Sequence, residues 1–153
     1  MTTETQTTPQ TSTFAIKGPY LSAGRTNIDL ARTDLLWLSF KVNAEGGENA
    51  VHAHTDEDHA FVILEGEVTF FDDKGNGKVL GEYEGIMIPK GAYYRYLNTG
   101  GRNLFMLRVG AQMDTSGGIQ TRVKPDGNAI PADSAENFHV DPVEIEGKFF
   151  GAK

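Results

Sequence analysis

Apolar and polar positions change places in short bursts along this chain, and no amphipathic helix of useful length can be traced in it. Residues 34–42 are rich in aromatic and aliphatic side chains and alternate imperfectly, which predicts a strand buried on most of one face. A Gly46-Gly47 loop follows, then a strand carrying His52 and His54, a polar loop at 55–58, and a long apolar run from His59 to Phe71. Glu65-Gly66-Glu67 interrupts that run with a turn or bulge. Asp72-Asp73-Lys74-Gly75-Asn76-Gly77 is a hairpin signal, because Asn and Gly supply the positive-φ conformations such turns need. Further strands are predicted at 78–80, 85–89, 92–97 and 103–111, and a short first strand at 14–16 is broken by Lys17-Gly18-Pro19. Strands at this short, regular spacing predict a single all-β domain, a sandwich or barrel, over residues 14–111.

The flanks differ. Residues 1–13 are almost all Thr, Gln, Ser and Glu, with nothing apolar to bury after Met1, and are expected to form a disordered tail. Beyond Ala111 the alternation dissolves into Gly, Asp, Pro and Asn. Residues 112–153 are therefore expected to be an irregular extension, ending in Phe149-Phe150, that packs on the barrel or on a dimer partner.

Composition narrows the chemistry. A chain of 153 residues can bury a proper core without staples. Without cysteine, thiolate metal sites, cysteine nucleophiles and disulfides are excluded, so any metal must be held by nitrogen and oxygen. No apolar run reaches the length of a membrane span, and the N-terminus lacks the basic and apolar regions of a secretion signal, so a cytoplasmic location is expected. A formal net charge of -7 disfavours nucleic acid and anionic membranes as partners and leaves a small-molecule substrate as the expectation.

Three of the four histidines lie in one stretch, at positions 52, 54 and 59. Side chains two apart on a strand share a face, so His52 and His54 can reach one ion, and the returning strand brings His59 alongside. Three neutral imidazoles leave coordination positions open, as a catalytic ion requires; the plain alternative is three solvated loop histidines. Asp56, Glu57 and Asp58 read as a solvated acidic loop, one member of which could orient a ligating imidazole. Tyr94 and Tyr96 share a strand face, Tyr93 points away, and at least one of the three is packing. Phe40, Phe61, Phe70, Met87 and Met106 line either an apolar cavity or the core. Arg108, on an otherwise apolar strand, meets an anionic substrate in the barrel or forms a structural ion pair. His139 reads as a surface residue.

These residues resemble the cupin superfamily, small jelly-roll barrels of the double-stranded β-helix type that hold a metal in the barrel mouth. The family's first motif is Gly, five residues, His, one residue, His, three or four residues, Glu, six residues, Gly. Gly46, His52, His54 and Gly66 fall on it, with His59 in the Glu position of the longer version. The second motif is Gly, five residues, Pro, one residue, Gly, two residues, His, three residues, Asn. Pro89, Gly91 and Asn98 match, Tyr94 stands in place of His, and the leading Gly is missing, Tyr83 lying between Gly81 and Gly85.

The departures leave two ligand sets open. His52, His54 and His59 form a neutral triad with Tyr94 nearby as hydrogen-bond donor or proton carrier, or Tyr94 binds as a phenolate and restores the missing negative charge. The shorter spacer would make Asp58 the acidic ligand instead of His59. The resemblance implies a divalent transition metal, Fe(II) before Mn, Ni or Zn, and a homodimer. It implies a dioxygenase or related oxidoreductase acting on an enol, catechol or hydroxy-ketone chelated to the ion. A non-oxidative isomerase, lyase or cyclase, with Tyr94 or Tyr96 moving the proton, and a binding protein without turnover are the alternatives.

Overall fold

The computed structural model describes residues 8–112 and 122–153. Its central strand is β10 (Leu104–Gln112), because two long neighbours pair with it, β3 (Leu36–Asn43) on one side and β5 (Glu57–Glu65) on the other, both antiparallel. β2 (Arg25–Arg32) and β8 (Gly85–Ile88) complete this sheet in the order β2-β3-β10-β5-β8. The second sheet contains β4 (Gly47–His54), β6 (Val68–Phe71), β7 (Gly77–Leu80), β9 (Tyr94–Asn98) and β11 (Arg122–Val123), in the order β11-β4-β9-β6-β7. A ribbon of β1 (Lys17–Ala23) and β12 (Val143–Gly151) stands apart from both.

The inner faces of the two sheets share one core. Phe61 and Ile63 from β5, Leu104 and Met106 from β10, and Phe70, Tyr94 and Tyr96 from β6 and β9 pack together and are all buried. Alternation sends Phe105 to the opposite face of β10, where it joins Leu21, Phe40 and Val42 in a second cluster under the ribbon. Phe150 of β12 seals this cluster, stacked on Phe105 at 4.6 Å and on Phe40 at 5.7 Å between ring centroids. On β3, therefore, apolar Phe40 and Val42 face outward under the ribbon, and Ser39, Lys41 and Asn43 face the barrel interior, all of them buried. A sandwich strand ordinarily shows the reverse pattern. Here a polar interior is possible because the outer apolar face has its own cover.

Several elements depart from the sequence expectations. Lys17-Gly18-Pro19 begins β1 and does not break it; Pro19 has no N–H to donate, and a two-stranded ribbon tolerates that. β2 has no counterpart among the predicted strands, since Ile28 and Leu30 are its only large apolar residues. Residues 112–153 are not irregular throughout: β11 pairs with β4, and β12 pairs with β1, giving the C-terminal segment a place on the barrel. Met87 is 70% exposed and lies outside the clusters that bury Phe40, Phe61, Phe70 and Met106; it lines a surface pocket with Phe70, Ile86 and Tyr94. Within the expected tail, residues 1–7 lie outside the described residues and 8–13 carry no regular secondary structure; the strand expected at 14–16 is absent too, β1 beginning only at Lys17.

Two connections position the site. The turn between β4 and β5 is only Thr55-Asp56, so Glu57 and Asp58 belong to the strand and not to a loop. Gly66, at φ 95° between β5 and β6, turns the chain from one sheet into the other; a Cβ there would stand 2.7 Å from the Asn103 carbonyl oxygen. Among the described residues no helix is long and apolar enough to cross a membrane.

Candidate metal centre

Because β5 starts at Glu57, the period of two puts Glu57, His59 and Phe61 on its inner face and Asp58 on its outer one. Glu57 Oε1 lies 2.9 Å from His54 Nδ1 and 2.8 Å from His59 Nε2. His54, Glu57 and His59 each present one donor atom, all within 4.8 Å of one another, and so could hold a metal ion. Trp37, on the inner face of β3, donates its indole N–H to Glu57 Oε2 at 3.1 Å. Its ring lies edge-to-face with His59 at 5.4 Å.

Electrostatics prepare these groups for a cation. Burial lowers His54 to about 4, outweighing the hydrogen bond to Glu57, and lowers His59 in the same direction. Burial pushes Glu57 up, but the bonds to His54 and His59 hold it well below the ordinary carboxylate range. The centre thus holds two neutral imidazoles beside one carboxylate. This donor set of two nitrogens and one oxygen fits a divalent transition metal.

His52 is placed differently. It is fully buried on β4, 5.4 Å from His54 between ring centroids and 4.5 Å from Tyr94. Its Nε2 is 3.3 Å from Glu48 Oε2 without the geometry of a hydrogen bond, and its Nδ1 faces the Ala50 carbonyl at 2.9 Å and Arg122 Nη2 at 3.2 Å. Glu48 also accepts from Lys41 Nζ at 2.7 Å and Arg122 Nη2 at 3.1 Å. Burial alone would raise Glu48, yet Lys41, His52 and Arg122 together keep it well below its usual value. The structure therefore brings His54 and His59 together with Glu57, and sets His52 in a buried charge cluster next to them.

Tyr94 and Tyr96 share the inner face of β9, both buried, and neither hydroxyl has a hydrogen-bond partner among the described residues. Burial raises both phenols above their ordinary value, so each keeps its proton in the metal-free protein. Asp58 points outward, is exposed, and accepts the Lys90 N–H at 2.8 Å, away from the centre. His139 is exposed and pairs with Asp141 at 3.2 Å.

The sequence suggests a solvated loop for Glu57; the structure makes it a member of the cluster, its side chain only 13% exposed. The missed signal was turn length: with a two-residue turn, Glu57 and His59 fall on one face. Arg122 and Trp37 left no local signature, because each reaches the centre from a distant segment.

A model described as the cupin domain matches residues 40–110, a little under half of the chain. No curated protein matches. Among solved structures, KdgF from Halomonas sp. is 14% identical with a TM-score of 0.58, covering 69% of this chain and 98% of that one. An uncharacterized protein with a double-stranded β-helix domain from Klebsiella pneumoniae is 17% identical with a TM-score of 0.53, covering 60% and 79%. An oxalate oxidase in complex with the substrate analogue glycolate is 19% identical with a TM-score of 0.52, over 61% of this chain and 53% of its own. At these identities the likeness speaks for the fold alone. Residues 40–110 therefore match the cupin domain, and they lie within a fold similar to the double-stranded β-helix.

Proposed function

We propose that this protein is a metal-dependent small-molecule enzyme, an Fe(II) dioxygenase or related oxidoreductase, acting on an enol, catechol or hydroxy-ketone chelated at the ion. The observation that carries the reading is the convergence of His54 Nδ1 and His59 Nε2 on Glu57 Oε1 at 2.9 and 2.8 Å. Two imidazoles and one carboxylate on one side of an ion, with the other positions open, are the ligand set that suits non-haem Fe(II). His54, Glu57 and His59 would hold it, and when bound it supplies a chelation point for two substrate oxygens and a partner for dioxygen.

The chain's own residues do the rest. Trp37 holds the Glu57 carboxylate in orientation. Phe61, at 6.4 Å from His59 and 6.1 Å from Tyr94, gives the centre an apolar side. Tyr94 keeps a proton on Oη, unspent on any protein acceptor among the described residues and available to a substrate oxygen.

That last feature also favours a second reading. A neutral tyrosine beside a Lewis acid suits isomerase, lyase or cyclase chemistry without oxygen. Elemental analysis of the purified protein, followed by oxygen-uptake assays with 1,2- and 1,3-dioxygenated substrates, separates the two. Uptake that needs added Fe(II) supports the dioxygenase. Anaerobic turnover with Mn, Ni or Zn overturns it in favour of the second reading, and no turnover with any metal overturns both.

A further inference from the structure

Arg108 lies on the inner face of β10, opposite Phe61 of β5 and Ser39 of β3. Its guanidinium packs 4.8 Å from the Trp37 ring and 5.5 Å from that of Phe61. Nη2 stands 3.1 Å from both nitrogens of His59 and 3.4 Å from His54 Nε2, so the cation shares the space an ion would fill. The other cations turned into the barrel are matched. Lys41 and Arg122 share Glu48, and Arg25 donates to the carbonyls of Gly47, Asn137 and Ala132. Arg108 makes no ion pair among the described residues, its only hydrogen-bond contacts there are to imidazoles, and its Nε is buried without a partner.

The charge balance shows what is missing. Glu57 and Arg108 cancel, and the Lys41, Glu48 and Arg122 cluster beside them is already one positive charge in excess. A divalent ion adds two more and repels the guanidinium from its place between the imidazoles. An anion bound to both cations removes that repulsion. A carboxylate fits best, because a planar guanidinium, here packed near the Trp37 and Phe61 rings, presents parallel N–H groups to two coplanar oxygens.

We propose that Arg108 is a substrate-binding residue and that the substrate is a small chelating carboxylate, a 2-hydroxy or 2-oxo acid held jointly by the ion and the guanidinium. This rests on the metal-dependent reading above and moves its substrate class from enols, catechols and hydroxy-ketones to acids with a carboxylate next to the chelating oxygen.

Trp37 is the protein's only tryptophan and touches Arg108, so its fluorescence reports occupancy without turnover. Zinc-loaded wild-type, Arg108→Gln and Arg108→Lys proteins are titrated with lactate and with its neutral isostere lactamide, and the zinc content of each is measured. Lactate should bind saturably to the wild type. Its affinity should fall about ten-fold or more in Arg108→Gln with zinc retained, and less in Arg108→Lys, which keeps the charge but not the fork. Lactamide should bind at least about ten-fold more weakly than lactate to the wild type. Equal lactate affinity in wild type and Arg108→Gln overturns the proposal. So does lactamide matching lactate in the wild type, a comparison that needs no variant to fold. Should the wild type hold no zinc, the metal reading fails by itself. The titration then runs on the metal-free protein, where lactate binding lost in Arg108→Lys and Arg108→Gln sustains the anion site and its absence from the wild type ends it.

Discussion

Trp37 lies across Gly110: a Cβ on that glycine would stand 2.1 Å from two atoms of the indole ring. The close approach lets the indole N–H reach Glu57 Oε2 at 3.1 Å, leaving Oε1 turned toward His54 and His59. Trp37→Phe should keep the fold and weaken metal affinity by about ten- to a hundred-fold, the usual loss when a partner that orients a ligand is removed. Gly110→Ala should do the same by displacing the ring. Chelator-competition titrations measure both, with circular dichroism as the control for folding; unchanged affinity in both variants would show that Glu57 needs no such support.

Neighbouring acidic residues on β5 should behave as opposites. Glu57→Gln keeps the side chain's shape and removes its charge, so the purified protein should lose most of its metal. Asp58→Asn faces outward and should retain wild-type content, since Asp58 only accepts the Lys90 N–H at the surface. Elemental analysis of the two variants decides this, and loss confined to Asp58→Asn would reverse the assignment.

Tyr94→Phe removes a buried hydroxyl that makes no hydrogen bond among the described residues. Stability should therefore change by less than about 1 kcal/mol or rise slightly, as read from the thermal midpoint. Metal content should be unchanged, and turnover should fall about a hundred-fold or more if the phenol delivers a proton. A ferric form of the wild type should be free of a tyrosinate charge-transfer band. A visible band that disappears in Tyr94→Phe would instead make Tyr94 a ligand.

Stability of the metal-free protein should decline as the pH falls below about 6.5. The unfolded chain's histidines take up protons near pH 6.5, whereas folded His54 resists until about 4 and His59 is lowered in the same sense. The unfolded state then binds more protons, so the free energy of unfolding drops through this window and is constant above it. For His54 alone the loss approaches roughly 3 kcal/mol. Glu57, held below its ordinary range, adds a loss in the same direction below about 4.5. Urea denaturation of chelator-treated protein at pH 7.5 and 5 should show a lower midpoint at the acidic value; equal midpoints would contradict neutral buried imidazoles.

Much of the barrel can be read from short-range chemistry. The 72–77 hairpin is one case, with Asp72 Oδ1 accepting the N–H groups of Lys74 and Asn76 at 2.9 and 2.8 Å. The common face of Tyr94 and Tyr96 is another, and so is the strand that carries His52 and His54. Harder to read was the neighbourhood of His52, because Arg122 arrives on β11 and Lys41 on β3, each from a remote part of the chain.

By itself, the sequence determined which residues share a side of each strand, since a period of two follows from backbone geometry whatever surrounds it. It could not determine which side faces inward. Phe40 and Val42 point away from the barrel because the β1 and β12 ribbon, closed by Phe150, covers them there. That cover leaves Trp37, Lys41 and their polar partners to fill the interior. Burial is set by what packs on a face from elsewhere in the chain, and only the tertiary structure brought the ribbon, Arg122 of β11 and the short β4–β5 turn into one place.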